Sequence, residues 1–391
     1  MIPYGRQNIS SEDIDAVVKV LKSEYLTQGP LVRQFEASIA AYVGCEKAVV
    51  VNSATSALHL GCLALGVRAG DVVWTSAISF VASANAARYC GADVDFVDID
   101  LISFNMSAAA LEKKLHETKN NGGRLPRVVI PVAMAGQSAD MKEIHELSKI
   151  YGFKILEDAS HALGAGYKGQ KVGSCQFSHI TVFSFHPVKM ITTGEGGACT
   201  TNDLEVASKI ERLRSHGITR DVAEMESPRL AGYYYEQLEL GFNYRITDFQ
   251  CALGLSQLQR IDQFVEDRNA VASKYLELIE QDWVIQPKVL SKRTSSFHLF
   301  IIRIADFAPV TRDQIFESMR SRGIQVNLHY IPIYRHPYYA RMGRFNPLDF
   351  PSAEDFFASA LSLPVFPGLS SSDIAMTIEA LEGPLGHQTI F

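Results

Sequence analysis

The sequence predicts an α/β protein with a large unit on a mostly parallel sheet, covered by helices on both faces, and a smaller C-terminal α/β unit. Three observations predict it. Short apolar strands alternate with amphipathic helices from Lys47 to Glu157, the pattern of a parallel sheet sandwiched between helical layers. The chain has 391 residues, more than a single hydrophobic core usually serves. Finally, two long helical patterns, Ile246 to Leu258 and Phe264 to Ile279, form a link after which strands and helices mix in a new order. The units are expected to span residues 1–260, including the N-terminal segment, and 261–391.

Composition narrows the function classes. The net charge of -6, with no basic block, argues against a nucleic-acid partner. The opening MIPYGRQNISSEDID lacks the basic and apolar regions of a signal peptide, and no uncharged apolar run reaches membrane-spanning length, so a cytoplasmic protein is expected. The six cysteines lie scattered in or beside apolar runs without a CxxC pair, as small core residues of a reducing compartment do. No metal site is expected.

Asp13 to Leu21 reads as a helix capped by Ser10 or Ser11, and Leu31 to Val43 as a second, with Gly29-Pro30 breaking the link LTQGP between them. Lys47 to Val51 is a strand. Asn52-Ser53-Ala54-Thr55-Ser56 then leads into the helical run Ala57 to Leu65. Small hydroxyl residues at a helix start offer free N–H groups to an anion such as a phosphate, although plain capping by Ser53 or Thr55 reads equally well. Strands follow at Asp71 to Thr75, Asp93 to Val97, Pro126 to Pro131 and Phe153 to Glu157, with helices at Ser79 to Tyr89, Ala108 to Glu117 and Ala139 to Tyr151. Beyond a strand-like run from His179 to Phe185 comes a short irregular stretch with Lys189 and the glycines of Gly194 to Gly197. Asn202 to Ser215 is helical. The polar, irregular piece from His216 to Tyr244 is long enough to suggest a lid or a subunit contact. In the second unit, Phe297 to Ile304 and Ile324 to Leu328 read as strands; Arg312 to Arg322, Ala353 to Leu361 and Ser371 to Leu381 read as helices; Gly383 to Phe391 reads as a loose tail.

Ligands of such sheets bind beyond the carboxyl ends of the strands. That rule selects Ser53 to Ser56, Ser76 to Phe80 and Asp158 to His161. A carboxylate at a strand end among small and apolar residues is costly unless partnered. For Asp158 the partner could be the ring nitrogen of a pyridoxal phosphate, a metal or an arginine. His161 could reach the same ligand or be a satisfied core histidine. A lysine amine that condenses with an aldehyde, a phosphate site at a helix start, a carboxylate for a ring nitrogen and a flat side chain to stack on the ring would together make a pyridoxal-phosphate enzyme. Lys189, Ser53 to Thr55, Asp158 and Phe80 supply those parts. A nicotinamide-dependent oxidoreductase is disfavoured, because no GxGxxG follows the first strand.

The segments LTQGP (26–30), NSATSALHL (52–60), SFVASANA (79–86), PVAMAGQSADM (131–141), EDASHALGA (157–165), FSFHPVKMITTGEGG (183–197), GFNYRITDFQCALGLSQL (241–258) and HYIPIYRHPYY (329–339) resemble the DegT/DnrJ/EryC1/StrS family of sugar aminotransferases. The resemblance runs from about Tyr4 to Leu381. It implies the fold type I architecture of pyridoxal-phosphate-dependent transferases and a cofactor cycling between pyridoxal and pyridoxamine 5'-phosphate. It implies that Lys189 bonds to the cofactor and carries protons, and that Asp158 pairs with the pyridine nitrogen. Phe80 would stack on the ring, and His161 would lie near the ring hydroxyl. Ala54, Thr55 and Ser184 would bind the phosphate, joined by Asn243 from the neighbouring subunit of a homodimer. Thr27, His186, His329 and Tyr330 would contact substrate. L-glutamate is the implied donor, and UDP-2-acetamido-2,6-dideoxy-β-L-arabino-hex-4-ulose the implied acceptor. Another UDP- or dTDP-linked 4-keto sugar is the alternative, with a sugar dehydratase behind it. Family members of the latter kind carry histidine in place of the lysine, and this chain keeps Lys189.

Overall fold

Strands of the central sheet lie in the order Lys47–Val51, Gly197–Thr201, Ile180–Ser184, Lys154–Asp158, Val128–Ile130, Val72–Ser76 and Asp93–Val97. All run the same way except Gly197–Thr201, which is antiparallel to both neighbours. This computed structural model describes residues 1–227 and 231–382, the side chain of Glu382 excepted; the tail expected at 383–391 lies outside the described residues, as do three residues of the irregular piece.

Strand alternation divides the core. Val49, Val51, Val73, Leu156, Ile180 and Val182 face one side and pack with Ala57, Leu58 and Leu60 of the helix Ala54–Ala64 and with Ala84 and Ala87 of the helix Ala82–Tyr89. Ala48, Val50, Phe183 and Ala198 face the other side, against the helices Pro30–Val43 and Asp248–Leu258. Trp74, Val129 and Ile155 continue that second layer against Leu111, Leu115 and Ile144. Each such large apolar side chain contributes about 1.5–3 kcal/mol by leaving water. The sheet therefore holds its carboxyl edge as a rigid platform.

A second core surrounds the antiparallel strands Val284–Ile285, Phe300–Ile304 and Ala360–Leu363. The helices Ile261–Leu278, Arg312–Ser321 and Ser371–Glu382 cover it. Ile2 joins this core from the N-terminus, bridging Ile324.

Expected elements differ from the observed ones where packing overrides local pattern. Gly197, read within the glycines of Gly194 to Gly197, opens a buried strand, Gly197–Thr201, hydrogen-bonded on both sides. The helix read through Leu361 stops at Ser359, since Ala360–Leu363 pairs with Phe300–Arg303. The strand read at Ile324 to Leu328 reduces to isolated bridges at Ile324 and Asn327. Within the described part of the irregular piece, Ile218–Thr219 pairs with Glu236–Gln237. Among the described residues no helix is long and apolar enough to cross a membrane.

Candidate active site

The carboxyl edge of the sheet opens into a cavity of about 550 Å³, lined also by the segment 327–330, whose Leu328 and Tyr330 pack against the first core. Cross-strand register builds one wall. Val51 pairs with Gly197, and Gly197 with Ser184, so three strand ends meet beside the start of the helix Ala54–Ala64. Ser53 caps that helix, its Oγ accepting the Ser56 amide at 3.1 Å. The amides of Ala54 and Thr55 lie in the first turn, where no intrahelical carbonyl accepts them, and both residues line the cavity. Gly197 permits this arrangement. A Cβ there would lie 2.5 Å from the Ala54 nitrogen.

Asp158 ends its strand on the face shared with the helix Ala82–Tyr89 and is 5% exposed. Its Oδ2 accepts the Ser83 hydroxyl at 2.7 Å; its Oδ1 accepts the Ser160 hydroxyl at 2.6 Å and the Ser160 amide at 3.1 Å. A carboxylate held by three donors keeps lone pairs for a further cation. Its neighbour Glu157 points to the opposite face, where it accepts the Thr181 hydroxyl, and burial raises its carboxyl to about 7.

Lys189 lies in the turn after Ile180–Ser184, its amide bonded to the His186 carbonyl. Burial lowers its amine to about 8, partly opposed by the Asp158 charge and reinforced by the Arg268 charge. Its Nζ is 3.4 Å from Nε2 of His298. His161 Nε2 lies 3.1 Å from the Tyr330 hydroxyl, and burial holds its imidazole neutral. His329 Nδ1 lies 2.9 Å from Ser362 Oγ, and burial, with the nearby Lys189 charge, lowers that ring to about 3. Phe80, 58% exposed, stands over the opening with its ring 6.0 Å from that of Tyr330.

The cavity thus gathers Ala54, Thr55, Phe80, Asp158, His161, Ser184, His186, Lys189, His329 and Tyr330. It does not include Thr27, which is exposed and bridges Thr247, or Asn243, which is exposed and bridges Ser215. Among the described residues, no cluster of histidine, cysteine and acidic side chains could hold a metal. The cavity also takes in Tyr4 and Asn327, while Ser83 and His298 stand behind its walls. Sequence reading passed over all four. His298 sits inside an apolar run and Ser83 inside a helix of small residues, so only a polar residue in an otherwise buried pattern marked either one.

The profile of the DegT/DnrJ/EryC1/StrS aminotransferase family matches residues 7–382. The chain is 39% identical over 382 residues to the UDP-4-amino-4,6-dideoxy-N-acetyl-beta-L-altrosamine transaminase of Campylobacter jejuni, covering 97% of this chain and 96% of that one. Its structure resembles Helicobacter pylori PseC, an aminotransferase involved in the biosynthesis of pseudoaminic acid, with a TM-score of 0.90 and 32% identity over 98% of this chain and 99% of that one. It also resembles the putative sugar aminotransferase Spr1654 from Streptococcus pneumoniae in its PMP-form, with a TM-score of 0.88 and 29% identity over 98% and 99% of the two chains.

Proposed function

The chain belongs to the DegT/DnrJ/EryC1/StrS aminotransferase family, and from that premise we propose that it transfers the amino group of L-glutamate to the C4 keto group of a nucleotide-linked 4-keto-6-deoxy sugar, with pyridoxal 5'-phosphate as cofactor. The acceptor is UDP-2-acetamido-2,6-dideoxy-β-L-arabino-hex-4-ulose, and the product UDP-4-amino-4,6-dideoxy-N-acetyl-β-L-altrosamine, the sugar named for the Campylobacter relative. The observation that carries this reading is the meeting of Lys189, the buried Asp158 carboxylate and an open helix start in one cavity.

The residues fit the cofactor. A phosphate dianion suits the Ala54 and Thr55 amides, the positive helix end and the Ser184 hydroxyl, and the missing Cβ of Gly197 leaves that helix start undistorted. Asp158 offers a fixed negative charge for a protonated ring nitrogen, and Phe80 a flat face for the ring. When bound, the cofactor supplies an aldehyde and an electron sink for the carbon that loses its proton.

The chain's own groups handle the protons. Lys189 Nζ takes the proton from the donor's Cα and returns one to C4 of the sugar in the reverse half. An amine lowered to about 8 is near balance between its two forms close to neutral pH, which suits a group that both takes and gives. Asp158 keeps its proton partner in place because Ser83 and Ser160 prevent the carboxylate from turning. His161, held beside the Tyr330 hydroxyl, would stand by the ring hydroxyl. Thr27, His186, His329 and Tyr330 contact substrate.

The working unit is a homodimer in which Asn243 reaches the phosphate held by its neighbour. Its exposure supports this, as do the exposed Tyr233, Tyr235 and Leu240 on the preceding irregular piece. The test is a visible absorption spectrum of the cofactor-loaded protein. The cofactor band should fade with L-glutamate and return with one member of a panel of UDP- and dTDP-linked 4-keto sugars. A band indifferent to glutamate, or a deoxygenated product without a new amine, would overturn the reading.

A further inference from the structure

We infer that His298 is a positioning residue for the Lys189 amine, locked to the lysine's own segment by the buried guanidinium of Arg268. The inference rests on the proposed role of Lys189 and adds the device that sets where its Nζ lies.

The geometry comes from three elements. His298 Nε2 is 3.4 Å from Lys189 Nζ. The backbone just before it is strained: Phe297 has φ 43, a left-handed conformation that a bulky side chain rarely adopts. That strain is held from both sides. The Ser296 amide donates to the Gly136 carbonyl at 3.0 Å, and the Ser296 hydroxyl to the His161 carbonyl at 2.8 Å. Arg268, 1% exposed on the helix Ile261–Leu278, donates to the carbonyls of Val365 at 2.8 Å, His298 at 3.3 Å and Phe297 at 3.4 Å, and to that of Val188 at 3.5 Å. One side chain therefore ties the backbone of the residue before Lys189 to the backbone that carries the facing imidazole.

The imidazole is suited to the task because it stays uncharged. It is buried, its ring centroid lies 4.4 Å from that of His161, and its Nδ1 has no partner among the described residues. With the proton on Nδ1, Nε2 presents a lone pair to the amine. The titratable and charged groups facing Nζ are Asp158, Arg268, His161, His298, His329 and, from its own segment, His186. Among them His298 is the one within hydrogen-bonding reach.

The test uses cofactor-free protein, so it reads Lys189 directly. Trace acetic anhydride labels Lys189 across a pH series, and peptide mass spectrometry gives the midpoint. An acceptor lone pair favours the ammonium form. His298→Phe should therefore move the midpoint down by about one pH unit, and His298→Gln, which keeps an acceptor, should restore it. An unchanged midpoint in His298→Phe, or a glutamine variant that behaves like phenylalanine, overturns the inference. Should the phenylalanine variant not fold, the nitrogen resonance of His298 Nε2 answers instead. It should shift in Lys189→Met, and a resonance that does not move overturns the inference. A wild-type protein inert to L-glutamate would remove the aminotransferase reading while leaving these measurements intact.

Discussion

Ser83 donates its hydroxyl to Asp158 Oδ2 at 2.7 Å across 75 residues of sequence, from the helix Ala82–Tyr89 to the end of a central strand. Together with Ser160 on the other oxygen, it fixes the plane of a largely buried carboxylate. Asp158→Ala should fold, because the serine hydroxyls can turn to other partners, but lose roughly a hundredfold or more of the glutamate half-reaction. Ser83→Ala keeps the charge and loses one charge-assisted bond, for a loss of about tenfold. Stopped-flow absorbance with L-glutamate measures both; native rates in Asp158→Ala would refute its role.

Gly197 gives room to the helix start at Ala54, the end of the site proposed to take the cofactor phosphate. A methyl group there would lie 2.5 Å from the Ala54 nitrogen and 2.7 Å from the Ser53 carbonyl carbon, both backbone atoms of a packed helix start. Gly197→Ala should displace that turn, cost about 1–3 kcal/mol of stability and weaken cofactor binding by more than tenfold. Thermal melting and cofactor titration give the two numbers. Unchanged cofactor affinity would show that the helix start does not hold the phosphate.

Lys189 should destabilise the cofactor-free fold at neutral pH. Its amine is lowered to about 8 from 10.5, so between those values the unfolded chain binds more protons than the folded one, and stability rises with pH. Lys189→Met should melt above wild type at pH 7, with the gap narrowing from pH 8 to 10.5 as the wild-type penalty is relieved. A gap independent of pH would show that the amine is not held in a desolvated site. The same variant should lose both half-reactions.

Strand ends were the most legible part of this chain. Lys47–Val51 and Asp93–Val97 have the bounds read from their β-branched and apolar runs. Because parallel strands end at one edge, Ser53 to Ser56, Ser76 to Phe80 and Asp158 to His161 stand out from the pattern alone, and Lys189 stands out by its place between a strand-like run and the glycines of Gly194 to Gly197. Gly197–Thr201 was hidden because it opens on a glycine, and a glycine is needed there because the helix start at Ala54 packs on it. His298 was hidden because what matters about it is the backbone turn at Phe297 and the Arg268 clamp, neither of which has a periodic signature. Thr27 and Asn243 lie outside the cavity that gathers the other predicted residues, and no signal within one chain places them there.

Glu157 gives a pH dependence of the opposite sign. Burial raises its carboxyl to about 7 from 4.5, with the Thr181 hydroxyl opposing and the Asp158 charge adding to the shift. Between those values the folded chain holds more protons than the unfolded one, so its contribution is fully present below pH 4.5 and is lost as pH rises through 7. Glu157→Gln should match wild type near pH 4.5, gain on it up to pH 7 and keep a constant advantage above. Urea midpoints across that range measure it. A difference that does not change with pH would place the carboxyl in contact with water.

Asn243 provides the sharpest test of shared sites. If it serves the neighbouring subunit's phosphate, Lys189→Ala and Asn243→Ala damage different halves of one composite site. In a mixed dimer one site then carries both defects, while the other combines the intact Lys189 of the asparagine variant with the intact Asn243 of the lysine variant. Co-refolding the two weakly active variants should therefore restore activity, up to about one quarter of wild type for random pairing, since half of the dimers are mixed and half of their sites are whole. If Asn243 acts within its own chain, each mixed dimer carries one site without lysine and one without asparagine, and mixing restores nothing. Activity that does not rise above the sum of the separate variants would return the exposed Asn243 to a local role beside Ser215, its bridge partner within the chain.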